Sequence, residues 1–142
     1  NADLIAFGPG SLYTSILPHL LVNGLVPAIE NASCPVVFIG NILQYRETMG
    51  LTLEDVLSAA NLHGRKGGGN ADLFVSVLAN RMLFPFEKTI GKFPYLRENL
   101  QEDAGTAIFR GEFEDAWSRG QHDGDATVAV LLKIATGGAS DA

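Results

Sequence analysis

The sequence predicts an α/β fold, a three-layer sandwich around a mostly parallel sheet. Three observations predict it. Short, almost wholly apolar runs at Asp3 to Phe7, Pro35 to Gly40 and Asp72 to Leu78 read as strands covered on both faces. Segments with helical spacing separate them, and alternating strands and helices argue for right-handed crossovers in a parallel sheet. Turn residues follow the first two runs, so the loops after the strands open together on one edge, where such sheets bind ligands.

The elements follow in order. After the first strand, Gly8-Pro9-Gly10-Ser11 turns the chain without bulky side chains, which lets a ligand approach the backbone. Proline is tolerated only in a helix's first turn, so Pro18 places the first helix start near Thr14 or Ser15. Its unpaired N–H groups would face the turn and favour an anion such as phosphate. Asn23 is the expected cap of a second helix, with Pro27 in its first turn. Pro35 to Gly40 is the second strand, and a loop runs from Asn41 to Leu51. Thr52 and Asp55 form a capping-box-like start to a helix that packs Leu53, Val56, Leu57 and Ala60 on the sheet. Arg65 to Gly69 reads as a flexible connector, and Asp72 to Leu78 as the third strand. Between Arg81 and Trp117 periodicity is weak. The aromatics there (Phe84, Phe86, Phe93, Tyr95, Phe109, Phe113 and Trp117) are read as mostly packing residues, with a short strand or helix within Phe109 to Trp117. Asp123 or Asp125 caps a last helix whose Val128, Leu131, Leu132 and Ala135 share a face. The order is Rossmann-like: one α/β domain or half-domain over residues 1–136, then a flexible tail at 137–142.

Composition narrows the function. The 142 residues are 46% apolar, enough for a core, and the net charge of −6 offers no basic field for nucleic acid. Cys34 is the single cysteine and has no metal-type spacing around it, which fits a reducing, cytoplasmic setting. No apolar run reaches the length of a membrane span, so no membrane insertion is expected. His19, His63 and His122 are far apart in sequence, and no structural metal is predicted.

Gly8-Pro-Gly-Ser-Leu-Tyr-Thr-Ser-Ile-Leu-Pro18, followed by Leu20-Leu21-Val22, resembles the signature of a nucleotide-sugar-binding family. That family comprises the bacterial gluconeogenesis factors, also called morphogenesis factors, and more distantly 2-phospho-L-lactate transferase. A second block agrees at Asn41, Gln44, Glu47, Thr48, Gly50, Thr52 and Asp55, but departs at Leu43, Tyr45 and Arg46, where the family has Thr, Pro and Gly. Gln121-His122-Asp123 stands where the gluconeogenesis factors read Arg-His-Asp; Arg119 is a nearby substitute for the missing cation. Family members are about twice as long and open with another glycine-rich loop. The resemblance therefore implies the C-terminal half of a longer protein; the alternative is a small domain that covers its sheet edge as a homodimer.

The candidate ligand-binding residues are Gly8, Gly10, Ser11, Tyr13, Thr14, Asn41, Gln44, Glu47, Thr48, Asn80 and His122. Each has a second reading. Gly8 and Gly10 serve a tight turn with or without phosphate. Ser11 and Thr14 donate to phosphate or cap the helix. Tyr13 stacks on a base or sugar, or packs beneath the loop. Asn41, Gln44, Glu47 and Thr48 recognise a base or sugar hydroxyls, or form a loop that holds its own shape. Arg46 and Arg81 reach a diphosphate or remain solvated. Asn80 matches a family asparagine after the third strand. No catalytic residue is assigned.

The resemblance implies a UDP-sugar-binding regulatory protein of carbon metabolism and cell shape, without a cofactor. Its competitor is a magnesium-dependent enzyme like 2-phospho-L-lactate transferase, which uses a guanosine diphosphate donor. The first turn of that enzyme resembles Gly-Pro-Ser-Asn-Pro, against Gly8-Pro-Gly-Ser-Leu here. A third reading is a half-site that binds weakly alone.

Overall fold

A computed structural model describes residues 1–81, 93–101 and 105–138. Four strands, β1 (Ile5–Phe7), β2 (Val36–Ile39), β3 (Ser76–Asn80) and β4 (Ala107–Gly111), form one sheet in the order β1-β2-β3-β4. Every neighbouring pair is parallel, with Phe7 beside Phe38, Phe38 beside Val77 and Val77 beside Ile108. Among the described residues, four α-helices, α1 (Leu17–Leu20), α2 (Leu25–Glu30), α3 (Leu53–Lys66) and α4 (Gly124–Ala135), and two short helical turns, Leu12–Ile16 and Arg46–Thr48, complete the elements. The fold is the α/β, Rossmann-like sandwich that the alternating pattern predicts.

Strand alternation builds the layers. Phe38, Val77, Ala79 and Ile108 face one side and pack with Leu17, Leu20, Val26, Ile29, Val56, Leu57 and Ala60 of α1, α2 and α3. Val37, Ile39, Leu78 and Phe109 face the other side, against Ile134, Val130 and Leu131 of α4. Phe74 anchors the first core edge-on between Phe7 and Phe38, with ring centroids 5.0 and 5.2 Å away.

Several elements differ from their sequence reading. The first helical turn starts at Leu12, not near Thr14. It is a π-type turn, Leu12–Ile16, that hands over to α1 with Pro18 in its first turn. The wide turn lets the chain begin coiling before the proline. Gly24, at φ +81°, stands at the N-cap of α2 instead of Asn23. The third strand begins four residues late. Asn61 takes the backbone of Phe74, its Oδ1 accepting from the Phe74 N–H at 2.8 Å, so Leu73 and Phe74 enter the core from a loop. Arg65 and Lys66 belong to α3, and the glycines after it serve close approach. A Cβ on Gly67 would lie 1.9 Å from the Leu20 carbonyl oxygen. The strand within the aromatic region is Ala107–Gly111.

The last helix is rotated from its expected face. Thr127 and Ile134 are buried, whereas Val128 and Leu132 are exposed. Residues 128–132 are all apolar, so periodicity cannot choose among them. Tyr95, Phe109 and Phe113 are buried as expected, but Trp117 is 96% exposed. Phe84, Phe86 and residues 139–142 lie outside the described residues. Both predicted caps hold. Thr52 and Asp55 form a reciprocal capping box, whose hydrogen bonds from the Thr52 N–H and hydroxyl hold the Asp55 carboxyl below its usual range. The Asp123 carboxylate accepts from the Ala126 N–H at 2.8 Å.

Gly8 is a backbone constraint at the C-terminal end of β1. Its φ is +85°, and a Cβ there would sit 2.9 Å from the Ile39 carbonyl oxygen. Gly24 has a similar φ with nothing within 4 Å. Gly8→Ala should therefore cost about 2–3 kcal/mol, combining strain and collision, whereas Gly24→Ala should cost only about 1 kcal/mol. Urea unfolding of both variants measures the difference.

Candidate functional site

The loops after β1 and β2 are bound to each other by side chains of the second. The Gly10 N–H donates to Asn41 Oδ1 at 3.1 Å, and Asn41 Nδ2 donates to the Gly10 carbonyl at 2.8 Å. The Ser11 hydroxyl donates to Glu47 Oε1, which also accepts from the Leu12 N–H at 3.1 Å. Ser11 Oγ accepts a long bond from the Thr14 N–H, 3.4 Å. The Glu47 carboxylate therefore stands at the helical start after the glycine turn, where the sequence reading placed an external anion.

The second loop is itself shaped from within. Gln44 is buried; its Nε2 donates to the Tyr95 carbonyl at 3.1 Å and its Oε1 accepts from the Gly50 N–H at 2.8 Å. Thr48 Oγ1 accepts from the Tyr45 N–H at 2.9 Å, closing the short turn Arg46–Thr48. Residues 93–97 run beside this loop, with Gln44 N–H bonded to the Pro94 carbonyl and Leu96 N–H to the Ile42 carbonyl. Arg110 of β4 grips the same segment, its Nε 2.9 Å from Glu98 Oε2.

A third wall comes from the chain between β4 and α4. Glu114 is buried. Its carboxylate accepts from the Tyr95 hydroxyl at 2.7 Å and from the Gly120 N–H at 2.8 Å. Burial pushes the Tyr95 phenol up, and the adjoining Glu114 carboxylate adds to that. The Arg119 guanidinium lies 4.8 Å above the Tyr95 ring and donates to the Phe93 carbonyl at 3.1 Å. Glu114 bridges His122 across an antiparallel turn, so these bonds set the position of Gly120-Gln121-His122.

The three walls enclose a cleft of about 510 Å³, lined by Pro9, Gly10, Ser11, Asn41, Tyr45, Glu47, Gly120, Gln121 and His122. It lies over the C-terminal ends of the strands. Of the sequence candidates, Gly10, Ser11, Asn41, Glu47 and His122 meet there. Gly8 borders a smaller hollow with Ser15 and His19 on the far side of the turn. Tyr13 and Thr14 are exposed and do not line the cleft. Gln44 is taken up by Tyr95 and Gly50 and Thr48 by Tyr45, and Asn80 Oδ1 accepts from the Phe113 N–H at 2.9 Å. Arg46 and Arg81 are exposed. Tyr45, Tyr95 and Glu114 were missed. Tyr45 was legible as a departure from the family pattern, but the 93–97 and 113–122 contacts have no local signal.

Among the described residues no group of three or more His, Cys, Asp or Glu is arranged to hold a metal. No described helix is long and apolar enough to cross a membrane.

Residues 1–93 match the family described as 2-phospho-L-lactate transferase CofD. The chain belongs to that family. It is 34% identical to the gluconeogenesis factor of Listeria monocytogenes over 136 residues, covering 94% of this chain and 42% of the relative. It is 49% identical over 64 residues to the gluconeogenesis factor of Halalkalibacterium halodurans, covering 44% of this chain and 20% of the relative. A crystal structure of a Bacillus halodurans protein of the UPF0052 family superposes with a TM-score of 0.75 at 27% identity, over 92% of this chain and 43% of that one. The chain thus spans less than half the length of these relatives. The agreement with the gluconeogenesis factors bears out the resemblance carried by the Gly8 to Pro18 motif.

Asn41 and Glu47 restrain the same pair of loops. Asn41→Ala and Glu47→Ala should each lower stability by about 1–3 kcal/mol, because each leaves part-buried backbone groups without partners. In urea unfolding, the double variant should lose less than the sum of the two.

Burial lowers the His122 pKa from its ordinary 6.5, and a hydrogen bond to the Gly40 carbonyl partly offsets this. The unfolded chain then takes up the proton first as pH falls. His122 should contribute stability in full above pH 6.5 and lose it progressively below, down to its folded pKa. His122→Gln should flatten that part of the stability profile in urea unfolding between about pH 5.5 and 7.5, a window of about one unit either side of an ordinary histidine.

Proposed function

We propose that the cleft binds a nucleoside diphosphate sugar, with a UDP-sugar as the expected ligand, and that the protein is a metabolite-responsive regulator of the gluconeogenesis-factor type. The observation that carries this reading is the cleft itself: about 510 Å³ on the ligand-binding edge of a parallel sheet, bounded by both motif loops. Its polar lining suits binding and orientation. Asn41 and Glu47 are committed to holding the loops, while Gln121, His122 and Tyr45 present an amide, an imidazole and a phenol to a ligand. Arg46, exposed and next to Tyr45, and Arg119, next to Gly120, would supply positive charge to a diphosphate. Regulation would follow from a ligand that bridges the three walls and so stabilises one arrangement of the loops.

A second reading is favoured by the family's description as a transferase. There the same cleft would take a guanosine diphosphate donor with magnesium.

Calorimetric titration with UDP-N-acetylglucosamine and with GDP, each with and without magnesium, separates the two. Saturable binding of the uridine ligand, at least tenfold tighter than GDP and with the ligand recovered unchanged, is the expected result. Preferential GDP binding with magnesium-dependent turnover of a GDP-linked donor would replace the sensor with the transferase. No binding of either ligand would remove nucleotide binding from this chain.

A further inference from the structure

We infer that Tyr45 is the aromatic platform on which the planar base of the nucleotide stacks, a specificity-determining role for the residue that replaces the family's proline. This rests on the nucleotide reading of the cleft. Tyr45 lines the cleft with its side chain 37% exposed, whereas Tyr13, the tyrosine within the glycine motif, is 51% exposed and outside it.

The ring is held in place without being covered. Phe93 packs against it at 5.7 Å between centroids with a 50° tilt, and Tyr45 still lines the cleft. The backbone beneath is fixed by the Tyr45 N–H to Thr48 Oγ1 bond. Phe93 is in turn fixed by the Arg119 bond to its carbonyl, and so by the same network that positions His122. A platform fixed in this way loses little entropy when a base stacks on it, which is what makes an aromatic contact effective.

The neighbours complete the chemistry of a base-and-diphosphate ligand. Gln121 and His122 offer hydrogen bonds in the same cavity, and Arg46 directly follows Tyr45 on the turn. The proline expected here from the family pattern has no π-face. The substitution therefore changes how strongly the base is held, more than how the phosphates are held.

The test compares Tyr45→Ala, Tyr45→Phe and Tyr13→Ala in the full chain, titrated with UDP, GDP and inorganic pyrophosphate, with thermal unfolding as a fold control. Tyr45→Ala should weaken binding of the preferred nucleoside diphosphate about tenfold while leaving pyrophosphate binding unchanged. Tyr45→Phe, which keeps the ring, should stay within about twofold, as should Tyr13→Ala. Equal losses for the nucleotide and pyrophosphate, equal losses in the Phe and Ala variants, or no loss in Tyr45→Ala would each overturn the stacking role while leaving nucleotide binding intact. A wild-type chain that binds neither UDP nor GDP would overturn the nucleotide reading and this inference with it.

Discussion

The edge of the sheet that carries the cleft depends on one constraint: a carboxylate and an amide from the second loop hold the first. The turn after β1 is built from glycine and proline and has almost no side chains of its own to define it. Asn41 supplies both a donor and an acceptor to Gly10, and Glu47 caps the helical start through Ser11 and Leu12. Each bond is modest, near 1 kcal/mol net, but the bonds act on a turn that would otherwise sample many conformations. Without them Pro9, Gly10 and Ser11 would not form a fixed wall.

The opposite wall uses the same device in a drier place. Glu114 is buried, and its two oxygens are occupied by the Tyr95 hydroxyl and the Gly120 N–H. Removing either donor would leave a desolvated carboxylate short of a partner, so the network tolerates little loosening. Because Tyr95 also pairs with the second loop through the Leu43 bridge, the two walls are mechanically one unit. The cleft is set by its frame before any ligand arrives.

Much of this was legible in the sequence, and the failures have physical causes. The Thr52 and Asp123 caps are decided within one turn of chain, and the buried face of α3 and the parallel sheet follow from the periodicity and alternation of the elements. Leu73 and Phe74 look like strand but are not, since the Asn61 side chain claims the Phe74 backbone from a helix thirteen residues away. Val128 and Leu132 look like core, but five consecutive apolar residues carry no phase. In the second loop the sequence shows the polar residues but not their partners. Gln44 and Thr48 are polar residues in the right loop, yet their groups are consumed by Tyr95, Gly50 and Tyr45, contacts that only the folded chain creates.

A chain of net charge −6 works against an anionic ligand at long range, and screening limits that penalty to about 8–10 Å at ordinary ionic strength. Inside that distance, what matters is how the local carboxylates are satisfied. Glu47 faces two donors from the first turn and the N-terminal end of a helix, so its charge is partly neutralised where it meets the cleft. Glu114 is turned into the protein, towards Tyr95 and Gly120. Tyr45, Gln121 and His122 complete the lining, and Arg46 and Arg119 adjoin Tyr45 and Gly120 in the chain. In an acidic protein, the cleft thus holds one carboxylate engaged by two donors and turns the other inward, the arrangement that the proposed anionic ligand requires.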